Sequence, residues 1–200
     1  MTESKQKPKY KTFVIHGKTK QWQFWVILAI LLVLVFWLTS YAARYLALND
    51  PRLQVDVVDR DGVILQTTGY SCGPASLTML MRDKGLDVTQ LEMAKVAYTG
   101  IFGTQSSAMP RVGDKYGFDV DTKYLNFDEI IDMNVPMILE EEEHVVYIVP
   151  DLASRILYVK DPQSGLFIMA KDDFYTYFLP KEKKKCYIFT RKGIKKENGV

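Results

Sequence analysis

The sequence predicts an α+β domain behind one N-terminal transmembrane helix, on three observations. Residues 22–43 form an apolar stretch without a charged side chain. Helical segments with caps and stops follow between residues 72 and 117. From residue 118 onward most segments are rich in β-branched and aromatic residues and alternate like strands. Helices first and an antiparallel sheet second are the order expected of an α+β domain.

The apolar stretch is long enough to cross a bilayer, which takes about 20 residues as a helix. A buried core helix is disfavoured, because so small a domain could hardly enclose a helix that is apolar on every side. A cleaved signal peptide competes with an anchor, since residues 40–42 (SYA) resemble a small-residue cleavage site. The length of the stretch and its tryptophans favour an uncleaved anchor. Amphipathic aromatic residues lie near its ends, as expected at a membrane interface: Trp22, Trp25, Trp37, Tyr41 and Tyr45.

The flanking charges predict the topology. Six lysines and one glutamate precede residue 22, whereas the arginines that follow the stretch are mixed with acids. The positive-inside rule therefore predicts a single-pass protein of the cell membrane, with a cytoplasmic N-terminus and an extracytoplasmic domain. The expected organisation is a basic cytoplasmic tail at 1–21, a transmembrane helix at 22–44, a juxtamembrane connector at 45–59, a folded domain at 60–190 and a basic tail at 191–200.

The first elements of the domain carry turn and cap signals. Residues 55–66 predict a β-hairpin, because the Asp-Gly pair at 61–62 suits a tight turn that needs positive φ. A helix then starts near Cys72, with Pro74 in the first turn, where no amide partner is lost, and Gly85 as the stop.

Two further helices precede the sheet. Thr89 and Glu92 form a capping-box pattern at the start of one, and Gly100 marks its expected end. The other is bounded by a serine cap, Ser106 or Ser107, and by Gly117. The expected strands then lie at 118–125, 135–140, 144–149, 155–160, 166–170 and 185–190, with helical segments at 126–134 and 172–178.

Cys72 stands at a predicted helix N-terminus, where unpaired amides and the helix dipole favour a thiolate. The plainer alternative is a small buried side chain, as most cysteines are. A thiol nucleophile needs a base. His16 lies on the far side of the apolar stretch, so the base would be His144. The second cysteine, Cys186, could pair with Cys72 in an oxidising compartment, but a disulfide would block the thiol and is the disfavoured state.

The strands around His144 predict a carboxylate partner. They form a hairpin folded near Leu152, which would place His144 across from Lys160 and Asp161. A carboxylate there could fix the imidazole tautomer and stabilise the imidazolium. Turn formation at the strand end is the alternative role of Asp161.

Four residues in order carry a family resemblance: Gln66 and Cys72 in QTTGYSCGPASL, His144 at a strand start, and Asp161 in VKDPQSG. With these spacings the chain resembles the bacteriocin-processing (double-glycine leader) cysteine peptidases, family thirty-nine of the cysteine peptidases in the papain-like superfamily, over about residues 60–190. The resemblance implies a papain-like domain that cuts peptide precursors after a Gly-Gly leader without a cofactor. It implies a nucleophile, a base, an orienting carboxylate and an oxyanion-hole amide, in the order Cys72, His144, Asp161 and Gln66.

The chain departs from that family in several ways. Ser71 stands where many members have aspartate before the cysteine, and the chain has no Walker A signature, so an exporter would be a separate partner. Many family peptidases are fused to exporters and face the cytoplasm, whereas this domain is expected outside. The expected function is a membrane-anchored cysteine peptidase with a peptide or protein substrate. A non-catalytic peptide-binding module beside an exporter or surface complex is the alternative, and an acyl transferase using the same thiol is a third.

Charge and composition exclude other classes. No basic stripe is interleaved with aromatic residues, so no nucleic-acid partner is expected. The run Glu140–Glu143 before His144 has adjacent rather than spaced carboxylates, a poor pattern for a metal, so none is expected. Our hypothesis is that these glutamates form an acidic rim, which raises the pKa of His144 by proximity and attracts basic peptides.

Overall fold

The computed structural model describes residues 18–142, 144–178 and 183–193. The chain divides into two units, residues 1–39 and 40–200. The first helix, α1, is Lys18–Leu48. Residues 45–48, expected in the connector, are thus helical. Gln21–Leu48 is long and apolar enough to cross a membrane, a test that signal sequences near an N-terminus also pass.

The second unit has the predicted order of helices before sheet. Its helices are α2 Cys72–Asp83, α3 Gln90–Val96, α4 Ala108–Tyr116, α5 Phe127–Met133 and α6 Lys171–Tyr177, and Pro51–Gln54 is a 3₁₀ turn. Its strands are β1 Val57–Val58, β2 Ile64–Leu65, β3 Phe118–Leu125, β4 Met137–Glu141, β5 His144–Asp151, β6 Ile156–Asp161, β7 Gly165–Met169 and β8 Lys184–Arg191. The predicted α+β fold class is confirmed.

Among the described residues, six strands form one antiparallel sheet in the order β3-β8-β4-β5-β6-β7, and β1 and β2 form the predicted hairpin apart from it. Two apolar cores lie on the sheet. One contains side chains of α2 and α4, such as Leu77 and Met109, with Tyr147 of β5. The other contains Phe127 of α5 and Phe174 of α6. The end of β5 that carries His144 is therefore held in a sheet with packed side chains on both faces.

The helix α3 shows where a stop signal misled the prediction. Its capping box of Thr89 and Glu92 is present, but the helix ends at Val96 and not at Gly100. Tyr98 adopts a positive φ of 53°, a left-handed conformation that usually falls to glycine at a helix end. The following amide, of Thr99, donates to the Ala94 carbonyl at 2.9 Å and closes the end. Tyr98 therefore takes the left-handed conformation at the helix end, the role that was expected of Gly100.

The turn between β5 and β6 lies slightly later than the predicted centre near Leu152. Asp151 pairs with Ile156, so the turn is centred between Ala153 and Ser154. The reason is local, since Oδ1 of Asp151 accepts from the amides of Ala153 and Ser154 at 3.0 and 3.3 Å. An aspartate that bonds the backbone two residues ahead fixes where a turn forms.

Candidate active site

Cys72 is the first residue of α2 and is largely buried. The loop before it is organised by Ser71, whose Oγ accepts from the amides of Thr67 and Thr68 at 3.1 and 3.2 Å. The same Oγ donates to the Thr68 carbonyl at 3.2 Å. Ser71 is thus a buried polar residue with its hydrogen bonds satisfied, and it ties the start of α2 to the loop that begins at Gln66.

The helix of Cys72 is fixed to the strand of His144 by a buried hydrogen bond. Ser76, one turn into α2, donates its hydroxyl to the Val145 carbonyl at 2.9 Å. Val145 directly follows His144. This bond holds the thiol-bearing end of the helix in register with the start of β5, a link that no sequence motif indicated.

His144 and Asp161 lie side by side, although not through the expected pairing. Lys160 pairs with Tyr147 in the sheet, so the prediction that Lys160 and Asp161 lie across from His144 is wrong. The later turn of the hairpin causes the difference. His144 instead reaches Asp161 past the end of the β5–β6 ladder, and its Nε2 lies 2.7 Å from Oδ1 of the carboxylate.

Asp161 has a hydrogen bond on each oxygen. Its Oδ1 also accepts from the Gln163 amide at 2.7 Å, and its Oδ2 accepts from the Tyr177 hydroxyl at 2.7 Å. Burial by itself would raise the pKa of this carboxyl, but the bonds from His144, Gln163 and Tyr177 outweigh it and hold the pKa below its ordinary value. The group is therefore a buried carboxylate whose charge is stabilised by three donors.

The imidazole of His144 has its pKa raised to about 9. The hydrogen bond to Asp161 contributes most, and a hydrogen bond to Cys72 is next. At neutral pH the ring is thus an imidazolium. Because Asp161 occupies Nε2, Nδ1 is the nitrogen left for the sulfur. The structure brings Cys72, His144 and Asp161 together in that order.

The backbone of Gln66 is hydrogen-bonded beside Asp161. Its amide donates to the Pro162 carbonyl at 2.8 Å, directly after Asp161. Its side-chain Oε1 is buried and has no hydrogen-bond partner within the described residues. Gln66 is therefore held between the loop of Cys72 and the loop of Asp161.

A groove of about 650 Å³ opens beside Cys72. Gly73 lies in its wall, and a Cβ there would come within 2.8 Å of Thr104. This close approach requires glycine. The lining residues are Gly69, Tyr70, Cys72, Gly73, Ile101, Phe102, Gly103, Thr104, Gln105, Ser106, Glu140, Glu142 and Val145.

The first two glutamates of the acidic run before His144 are engaged in ion pairs, whereas Glu142 is exposed. Glu140 accepts from Ser106, Tyr187 and Lys185. Glu141 pairs with Lys184 at 2.7 Å. Glu143 lies outside the described residues. The groups that raise the pKa of His144 are Asp161 and Cys72, so the rise does not require an acidic rim.

Neither the metal nor the disulfide alternative has a site in the described part of the chain. No group of three His, Cys, Asp or Glu side chains there could hold a metal ion. Cys72 and Cys186 are both free thiols. Cys186 is fully buried, and burial raises its pKa to about 12.

An α+β fold with a thiol at a helix N-terminus and a histidine–carboxylate pair at strand ends defines a class of cysteine-peptidase-like folds. Within that class the chain belongs to the Peptidase C39 family, whose model matches residues 60–181. A curated relative, an uncharacterized protein of Methanothermobacter marburgensis, is 22% identical over 116 residues, which are 58% of this chain and 82% of the relative. A second relative, from Methanothermobacter thermautotrophicus, is 21% identical with the same coverage.

Two solved structures have the same fold. One is a double glycine motif protease from an AMS/PCAT transporter in complex with its leader peptide, with a TM-score of 0.56 and 20% identity over 69% of this chain and 99% of that one. The other is the peptidase domain of Streptococcus ComA, a bi-functional ABC transporter of a quorum-sensing pathway, with a TM-score of 0.53 and 18% identity over 64% of this chain and 96% of that one. The family assignment expected from Gln66, Cys72, His144 and Asp161 is confirmed.

Proposed function

We propose that the protein is a membrane-anchored cysteine peptidase in which Cys72 is the nucleophile and His144 the base. The observation that carries this proposal is the 2.7 Å contact of His144 Nε2 with the buried Asp161 carboxylate, on a ring whose pKa is also raised by the nearby Cys72 thiol. A thiol beside an imidazolium that is oriented by a buried carboxylate is the arrangement that nucleophilic catalysis needs. Family membership supports the same reaction class.

The chemistry proceeds in two steps. His144 takes the proton of the Cys72 thiol, the thiolate attacks the scissile carbonyl carbon, and the imidazolium gives that proton to the leaving amine, so that a thioester and a free amine form. Water then attacks the thioester, with the neutral imidazole as base, and releases the carboxylate product and the thiol. Asp161 keeps the ring oriented in both steps. Gln66 donates its side-chain amide to the oxyanion.

The substrate class we propose is a peptide with a double-glycine leader, or another exported peptide. The Thr104 side chain crowds the wall at Gly73. Gly73 and Thr104 both line the groove beside Cys72, so their packing bears on the space next to the cut bond. Two neighbours of the same fold belong to ABC transporters, and one was solved with a leader peptide. We therefore propose a separate exporter as a partner of this chain.

Residues 22–44 are the proposed anchor, with the N-terminus in the cytoplasm and the catalytic domain outside. Their length and composition support a span, and the lysines before residue 22 support the orientation. The test is protease treatment of intact cells that express the full chain with a C-terminal tag. Loss of the tag supports this topology, whereas a tag protected until the cells are lysed contradicts it.

The activity is tested with the purified full chain, under reducing conditions, on double-glycine leader peptides. We expect a cut after Gly-Gly that is lost in Cys72→Ala and in a peptide whose second glycine is alanine. Hydroxylamine added to the same assay detects acyl transfer to an amine. If the wild type binds the peptides and leaves them intact, the chain is a peptide-binding module and the proposal is wrong.

A further inference from the structure

Residues 43–50, the end of α1 and the turn after it, contact both loops that wall the groove beside Cys72. One loop is 66–71, which carries Tyr70. The other is 98–104, which carries Ile101 and Phe102. We call residues 43–50 the bracing segment. It lies ahead of the residues that match the family model, 60–181.

The bracing segment meets loop 98–104 at the helix backbone of Ala43, where the side chains are small. Ala43 and Ala47 are one helical turn apart and both are buried, with Ala47 fully so. At this face the Ile101 amide donates to the Ala43 carbonyl at 3.3 Å. Alanines allow the loop to reach the helix backbone, whereas a larger side chain at residue 43 would hold it away.

Arg44 fastens the same loop from the side. Its guanidinium carbon lies 3.7 Å from the ring centroid of Tyr98, and its Nη2 donates to the Lys95 carbonyl at 3.2 Å. Tyr98 is the residue with positive φ that ends α3. Arg44 therefore holds the point at which the chain turns into the groove wall. A planar guanidinium suits a stacked contact that also donates a hydrogen bond.

Asp50 fastens the other wall. Its Oδ2 accepts from the Tyr70 hydroxyl at 2.9 Å, and the same hydroxyl lies 3.5 Å from the Ala47 carbonyl. The Arg52 guanidinium donates to both oxygens of Asp50, to Oδ1 at 3.1 Å and to Oδ2 at 2.8 Å. Chiefly for that reason the pKa of Asp50 is well below its ordinary value. Asp50 thus stays a carboxylate and a strong acceptor for Tyr70 across the working pH range.

We propose that the bracing segment is a positioning element of the peptidase, which sets the distance between the two walls of the substrate groove. The effect on substrate kinetics that we expect from the bracing segment rests on the proposed peptidase function. Arg44 and Asp50 are not among the residues that line the groove. A change at either residue therefore acts on substrate through the loops that it holds.

The first test is amide hydrogen exchange on the full chain, which needs no substrate. Arg44→Ala should speed exchange of the amides in loop 98–104, that of Ile101 included, and leave β5 unchanged. Arg44→Lys, which keeps the charge and loses the planar fork, should do so less. The matched control is Tyr45→Phe, at an exposed ring on the same helix. Unchanged exchange in loop 98–104 overturns the proposal.

The second test is kinetic, on the leader peptide that the wild type cleaves. Asp50→Ala should raise KM about two- to tenfold, the range for one lost hydrogen bond, with kcat nearly unchanged. Tyr70→Phe combined with Asp50→Ala should cost no more than the larger single change, because the two residues share one bond. Additive losses, or an unchanged KM, overturn the proposal. If the wild type cleaves nothing, the proposed function fails and the exchange result alone decides the role of the segment.

Discussion

Tyr177 donates its hydroxyl to Oδ2 of Asp161 at 2.7 Å, on the oxygen that His144 leaves free. The pKa of Tyr177 is raised to about 12 by burial and by this bond, so its hydroxyl stays a donor. Its ring packs on Phe167 and Phe178 at centroid distances of 5.3 and 4.8 Å. Tyr177 therefore positions the carboxylate that positions His144.

Replacing Tyr177 by phenylalanine removes this donor and keeps the ring. Because the bond from Tyr177 lowers the pKa of Asp161, that pKa should rise in Tyr177→Phe. We expect the acid limb of the kcat/KM profile to move to higher pH, with a loss of about two- to tenfold at neutral pH. Tyr175→Phe, on the same helix, is the matched control. An unmoved acid limb would mean that Tyr177 only packs.

The alkaline limb of the kcat/KM profile should report His144. The imidazolium donates the proton to the leaving amine, so activity should fall as the pH rises through about 9. Asp161→Asn removes the group that contributes most to the raised pKa, and the limb should move toward 6.5, the ordinary value. A limb that stays in place in Asp161→Asn argues against the assigned roles.

The same pKa shift makes a prediction about stability. His144 binds its proton more tightly in the folded state than in the unfolded state. Its stabilising contribution is therefore fully present below about 6.5 and is lost as the pH rises through about 9. Urea unfolding of wild type and His144→Gln should show a difference in the free energy of unfolding that shrinks across this window. A difference independent of pH contradicts the shift.

Gly73→Ala should disturb the groove. The added Cβ would come within 2.8 Å of Thr104, and overpacking of this kind costs about 1–3 kcal/mol. We expect a lower free energy of unfolding and a lower kcat/KM, since Gly73 directly follows the nucleophile. Thr104→Gly in the same chain should restore part of both. Gly69→Ala is the control, because a Cβ at Gly69 meets nothing within 4 Å.

Cys186 should not react with alkylating reagents under conditions that modify Cys72. It is fully buried and its pKa is raised to about 12. Iodoacetamide at neutral pH should therefore add one group, which peptide mapping finds on Cys72. Cys186→Ala should keep activity, at a cost in stability from the small cavity. Modification of Cys186 at a rate like that of Cys72 would contradict this burial.

The sequence predicted the fold class and the three side chains that meet, because each has a local signal. Cys72 stands at a helix start, and His144 and Asp161 stand at strand ends. The register between the two strands was missed, since an Asp151 side chain fixes the turn. The hydrogen bonds of Ser76 to Val145 and of Tyr177 to Asp161 could not be predicted. Both hydroxyls lie on helices, and no local sequence pattern indicates which distant residue a helical hydroxyl contacts.

The bracing segment was missed for a related reason. Because Arg44 ends the uncharged stretch, hydropathy predicts a connector at residues 45–48, yet the helix continues to Leu48. Hydropathy marks where a span could end and not where the helix ends. The buried face of the last turns of α1 is formed by Ala43 and Ala47. Alanine is only weakly hydrophobic, so these two residues add little to the periodicity that predicts a buried helix face.

The most direct test of the central claim compares kcat/KM for the leader peptide in wild type, Cys72→Ala, His144→Ala and the double variant. If the two residues act as one unit, each single variant should lose about 1,000-fold or more, and the double variant should lose no more than the worse single variant. Losses that multiply, or turnover that persists in Cys72→Ala, would contradict the claim that Cys72 and His144 form one catalytic unit.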